Sequence, residues 1–178
     1  MTDIEAMQRA IVQLTQHQQR RYYGKYRGIV TDNNDPYQQG RIRAKVPELF
    51  ADAETGWAMA CVPFAPQSAG MLFLPETETN VWIEFEGGDP SRPIWTGCWW
   101  PQNQAPSIAS PSVKILQTAS GHKITLDDTS GSETVKIEDK NGSSITMDQS
   151  GLALAYQGMK VTLGASQVSI NDTSLTVM

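Results

Sequence analysis

The sequence predicts an all-β protein in which a small barrel precedes a ladder of very short strands, with one short helix at the N-terminus. Three observations carry that reading. Residues 122 to 178 repeat an apolar, polar, apolar triplet between turn residues; residues 22 to 100 set short apolar segments between Gly and Pro; residues 1 to 21 space their aliphatics for a helix. Alternation of period two places alternate side chains on opposite faces of a strand, whereas spacings of three and four follow a helix.

The helix comes first. Ile4, Met7, Ile11 and Leu14 stand among Gln, Arg and Glu as the apolar seam of an amphipathic helix. That seam packs either on its own domain or on a neighbouring copy or docking partner. The next segment offers candidate strands at 25–31, 41–46, 57–62, 71–74, 80–86 and 93–99. Asp35 and Pro36 start a turn, and Gly40 supplies a backbone conformation closed to other residues before Arg41. Gly87, Gly88, Asp89 and Pro90 make another turn. Residues 101–112, PQNQAPSIASPS, then read as an extended linker, because its prolines cannot sit inside a strand ladder.

The ladder occupies 113–178. Its triplets pair Ile124 with Leu126, Val135 with Ile137, Ile145 with Met147, Leu152 with Leu154, Val161 with Leu163, Val168 with Ile170, and Leu175 with Val177. They begin at 124, 135, 145, 152, 161, 168 and 175, which leaves room for a strand and a turn but not for a helix. The segments DDTSGSE, DKNGSS, QSG and NDTS are turn chemistry. Seven short strands make only about two coils of a single-chain solenoid, fewer than the roughly three repeats that such folds need. The expected remedy is a core shared among several copies, taken as three, that wind together so that these fourteen aliphatics form the trimer core. An unshared regular ladder would also invite aggregation through its edges.

Composition narrows the function classes. The formal net charge is -5, from 14 Lys and Arg against 19 Asp and Glu, so the chain lacks the basic surplus that phosphate backbones require. No apolar run is long enough to span a bilayer, and Asp3 and Glu5 stand where a signal peptide would be basic and then apolar. The expectation is synthesis in a bacterial cytoplasm without a signal peptide. Cys61 and Cys98 are too few for a disulfide framework and read as buried free thiols, with a single disulfide as the alternative.

No catalytic, metal or cofactor constellation presents itself. His17 and His122 lie in different segments, and Glu84 and Glu86 imitate an acid and base pair while reading better as a solvated or intersubunit strand face. Trp57, Trp82, Trp95, Trp99 and Trp100 all fall in the barrel segment. They suit core packing and protein contacts better than base stacking, since the segment is acidic.

Two motifs in the barrel and one in the ladder carry a family resemblance. DPYQQGRIRAKVPEL, residues 35–49, resembles a segment of the OB-fold barrel in phage baseplate spike proteins and in VgrG proteins. Residues 70–100, GMLFLPETETNVWIEFEGGDPSRPIWTGCWW, are similar to the later signature of the same barrel, and the stretch from Gly121 to Gly151 is similar to the start of the VgrG spike. The resemblance implies an OB-fold barrel followed by an intertwined trimeric β-helix. It also implies a structural role as a homotrimeric spike in a contractile injection machine, with partners at a baseplate hub and inner tube. Ile4, Met7, Ile11 and Leu14 would serve the hub or tube contact. Some relatives carry a lysozyme domain or an iron-binding His-x-His tip, neither of which this sequence shows. Beyond Lys160 the only charged side chain is Asp172, and Leu175, Val177 and Met178 are apolar. A separate tip protein, such as a PAAR-like cone, or an effector is expected there, with the target-cell membrane met only transiently. The competing readings are an OB-fold nucleic-acid binder and a cell-wall hydrolase component.

Overall fold

The computed structural model describes residues 3–19, 21–106, 110–172 and 175–177. The chain forms two compact units, 1–104 and 105–178. Helix α1, Asp3–Gln19, opens the first unit. Ile4, Met7 and Ile11 stand exposed on it, while the side chain of Leu14 lies outside the described residues.

The barrel strands are β1 (Tyr26–Asp32), β2 (Arg43–Lys45), β3 (Met59–Ala60), β4 (Asn80–Phe85) and β5 (Pro93–Cys98), with the short helix α2 (Pro47–Phe50) between β2 and β3. Among the described residues they form one sheet in the order β2-β1-β4-β5-β3, with β3 and β5 parallel and the other pairs antiparallel. Ile42 and Ala58 exchange backbone hydrogen bonds at 3.2 and 2.8 Å, joining the β2 and β3 ends of that sheet. The sheet therefore closes on itself, which removes its edges.

Alternation decides the interior. Val81, Ile83 and Phe85 of β4 point inward with Val30, Ile42, Ala44, Val46, Ala58 and Trp95. Tyr22, Tyr26, Phe50 and Phe85 add an aromatic cluster with centroids 5.7 to 6.2 Å apart. Gly28 sits where the strands crowd, since a Cβ there would lie 2.9 Å from Ile83 Cγ1.

The turn after β1 is built around one carboxylate. Asp35 accepts the backbone N–H groups of Tyr37, Gln39 and Arg41 at 3.0, 2.7 and 3.2 Å, and the Arg41 guanidinium at 2.6 Å. Gly40 follows with φ +72°, and its carbonyl accepts the indole N–H of buried Trp95 at 3.0 Å. This web ties the turn to the core. The Arg41 bond, with three backbone bonds beside it, holds the Asp35 carboxyl well below the usual carboxylate range.

Three expectations need correction. Residues 71–74 form no strand; Met71, Leu72, Phe73 and Leu74 are an exposed loop, because the sheet closes through Ile42 and Ala58 and leaves no free edge for them to join. Cys61 and Cys98 are free but exposed, Cys61 directly after β3 and Cys98 at the end of β5. Glu84 and Glu86 do not share a strand face, since β4 ends at Phe85 and Glu86 opens a 3₁₀ turn. Glu84 pairs with Lys25 and Glu86 with Arg92. The tryptophans were expected to serve core packing and protein contacts; Trp95 is buried in the core, Trp57, Trp82 and Trp99 are half-buried, and Trp100 is exposed.

The second unit is a single antiparallel sheet. Its strands are β6 (Val113–Gln117), β7 (Lys123–Asp127), β8 (Thr134–Glu138), β9 (Ser144–Asp148), β10 (Gly151–Tyr156), β11 (Met159–Gly164), β12 (Val168–Ile170) and β13 (Leu175–Val177). Among the described residues they lie side by side in chain order, each hairpinned to the next. The backbone ladder of the inner strands, β7 to β12, is thus paired within one chain.

The Asp35 web yields a prediction for the barrel. Because its folded pKa is depressed, Asp35 contributes stability that is present above its unfolded pKa, near pH 4, and lost as the pH falls below that. Asp35→Ala should lower the barrel's thermal midpoint by about 10 °C at neutral pH. Scanning calorimetry at pH 7 and at pH 3 should show the difference between variant and parent shrinking in acid.

Candidate assembly face

The fourteen triplet aliphatics stand in two continuous rows. One row runs Ile124, Ile137, Ile145, Leu154, Val161, Ile170 and Leu175, each directly opposite the next across the ladder. The other runs Leu126, Val135, Met147, Leu152, Leu163, Val168 and Val177 in the same register. No slip interrupts either row, and one slip would throw every following aliphatic to the opposite face.

These rows have no cover. Ile124, Leu126, Ile137, Ile145, Met147, Leu154, Leu163, Val168 and Ile170 are each 39–44% exposed, and Leu175 is 53% exposed. Val135, Leu152 and Val161 are half-buried. The side chain of Val177, and Met178 entirely, lie outside the described residues. Tyr156 and Met159, paired on the same face, widen it at β10 and β11. The only buried residue described in this unit is Ser169, on the opposite face. A contiguous apolar surface of this extent marks an interaction site.

The opposite face is polar. Thr125, Lys136, Thr146, Thr162 and Ser169 run along its middle. Glu138 accepts Lys136 at 2.7 Å and Lys123 at 3.2 Å, and those bonds hold its carboxyl below the usual range. At the turns, Asp127 accepts the N–H of Thr129 at 2.8 Å and Asp148 that of Ser150 at 2.7 Å. Bonding to Thr129 and Ser150 lowers both carboxyl pKa values, so both stay ionised at neutral pH.

The triplet pattern misses β6. Its Leu116 opposes Ile124 and extends the first row, but Lys114 opposes Leu126 and ends the second. Val113 and Ile115 fall on the polar face instead. The alternation in Val113-Lys114-Ile115 was the available signal, and it is out of phase with the other seven strands.

In the barrel, Arg27 lies over Trp99 at 4.7 Å and over Trp82 at 5.9 Å, while Arg43 lies over Trp57 at 4.9 Å. These ring faces are occupied by the protein's own guanidinium groups, which disfavours base stacking on them. Among the described residues no group of three or more His, Cys, Asp or Glu side chains could hold a metal ion.

A closed barrel followed by a one-layer antiparallel sheet with a bare apolar face defines a structural, self-assembling class of protein. Two family models match in that order: the type VI secretion system/phage-baseplate injector OB domain over residues 26–100, and the phage baseplate V C-terminal trimerisation domain over residues 112–176. The chain belongs to the phage baseplate V family of baseplate spike proteins, which includes VgrG-like spikes. No curated protein matches it. Its C-terminal unit is a trimerisation domain, and the protein is a homotrimeric component of a tail-associated particle. Both matched domains are structural.

The face depends on one backbone crossing. Gly151 has φ +136°, and a Cβ there would lie 2.0 Å from the Leu163 carbonyl oxygen. Gly151→Ala should cost about 3 kcal/mol in the sheet. Hydrogen exchange should show protection lost across β10 and β11 while the barrel strands keep theirs.

Proposed function

We propose that the trimer is the central spike of a contractile injection machine, either a phage tail or a phage tail-like apparatus. The observation that carries this reading is the uncovered double row of aliphatics on a sheet whose inner strands are already paired within the chain. Three such sheets, packed apolar face to apolar face, make a prism with a dry core and hydrogen-bonded walls. The trimer core is then the fourteen row residues from Ile124 to Val177. Such a prism has few soft modes, so it transmits thrust from a contracting sheath to the target envelope, and no chemical step is needed.

The barrel would attach to a baseplate hub protein, with Ile4, Met7, Ile11 and Leu14 of α1 contributing to that contact. Exposure of Ile4, Met7 and Ile11 supports a role for the helix in assembly. A separate PAAR-like tip protein would dock at Leu175, Val177 and Met178. Among the described residues β13 has only β12 as a neighbour, which leaves backbone donors and acceptors along its outer side.

Native mass spectrometry tests the assembly. The full chain of 19.6 kDa should appear at three times that mass, and a chain truncated after residue 112 should run as a folded monomer. Leu154→Asp, which places a charge in the middle of a row, should also abolish the trimer. A full-length monomer would sink the spike reading.

A further inference from the structure

The two ends of the sheet's strands carry different charge. Because consecutive strands reverse direction, turns alternate between two margins. One margin holds Asp127, Asp128, Glu133 and Asp148, with Lys114 as its one lysine among the described residues, and that lysine is paired with Asp128. The other margin holds Lys123, Lys140 and Lys160. Its carboxylates are Glu138, Asp139 and Asp172, and Glu138 is already shared between Lys123 and the central Lys136. Asp139 accepts the N–H groups of Asn141 and Ser143 in its own turn.

Symmetry turns this difference into a contact. In a ring of three identical chains no patch meets itself, so one margin of each copy faces the other margin of the next. Strands of five residues are only about 17 Å long, so a neighbour that covers the aliphatic rows also reaches the strand ends. Heights match as well. Asp127 and Lys123 are on the same strand, β7, and Asp148 of β9 lies at the level of Lys140, in the turn leading into β9. Asp127 and Asp148 each use one carboxylate oxygen on their own turn, leaving the other available.

We infer that the acidic margin of one copy pairs with the lysine margin of the next, around Asp127 and Asp148 on one side and Lys123 and Lys140 on the other. The apolar rows provide adhesion without preference for register or direction. The margins supply both, because sliding one sheet by a strand or reversing it would set like charges together. This inference rests on the trimer reading.

The test uses the full chain and urea dissociation of the trimer, followed by native mass spectrometry, at about 50 and about 500 mM salt. Asp127→Lys with Asp148→Lys reverses one margin, and Lys123→Glu with Lys140→Glu reverses the other. Either reversal should weaken trimer association about a hundredfold at low salt, since each exposed pair is worth only a few-fold but three interfaces repeat it. Both reversals together should restore association to near the parent value. A combined variant no tighter than the weaker single reversal overturns the inference. Asp127→Asn with Asp148→Asn keeps the turn hydrogen bonds if the lysine variants misfold, and should remove the salt sensitivity of the parent; sensitivity that persists also overturns it. Loss of the parent trimer in a chelator would reassign the carboxylates to a bound divalent cation. A monomeric parent would defeat the trimer reading itself, whereas a trimeric parent with uncoupled margins defeats only this pairing.

Discussion

A single β-sheet can satisfy its backbone within one chain but cannot bury its side chains there. The C-terminal unit is such a sheet. Hairpins pair its strands in chain order, so no inner strand leaves donors or acceptors unmet, yet nine aliphatics of its two rows keep 39–44% of their surface in contact with water. Burying one aliphatic side chain fully is worth roughly 1.5–3 kcal/mol, and the rows continue along every strand from β7 to β13. Association of copies is the response that covers the whole length, since each copy presents the same two rows.

The barrel obeys the opposite logic. It closes through the Ile42 and Ala58 bridge and fills its own interior with Val30, Ile83, Trp95 and their neighbours. It can therefore present its outside to other parts of a particle without depending on them for a core. The Asp35 web is what lets the chain leave β1, turn sharply and re-enter the wall at Ile42. A carboxylate with so many donors is also a pre-organised one, because the three backbone N–H groups and the guanidinium converge before any partner arrives.

Much of this was legible in the residues. Period-two triplets revealed the strands from β7 to β13 and which side chains share a face, because alternation in a strand depends only on local geometry. The barrel strands around Tyr26, Arg43, Asn80 and Pro93 were legible for the same reason. The Met71 to Leu74 segment was misread since its apolar run has the composition of a strand but no free edge to join. Strand β6 escaped notice because its aliphatics are out of phase with the others. The cysteines and the Glu84 and Glu86 pair were misplaced, as exposure and strand ends depend on what packs nearby rather than on residue type.

The sequence by itself determined the alternation, the turn chemistry and the need for a shared core, since these follow from side-chain order along an extended chain. Only the tertiary structure decided where the backbone hydrogen bonds go. Hairpin pairing in chain order keeps the inner strands' hydrogen bonds inside the chain and leaves the aliphatic rows uncovered. It also decided that Asp35, Gly40, Arg41 and Trp95 act together, because Trp95 lies more than fifty residues along the chain from the turn it holds, a 55-residue separation that no local pattern can bridge.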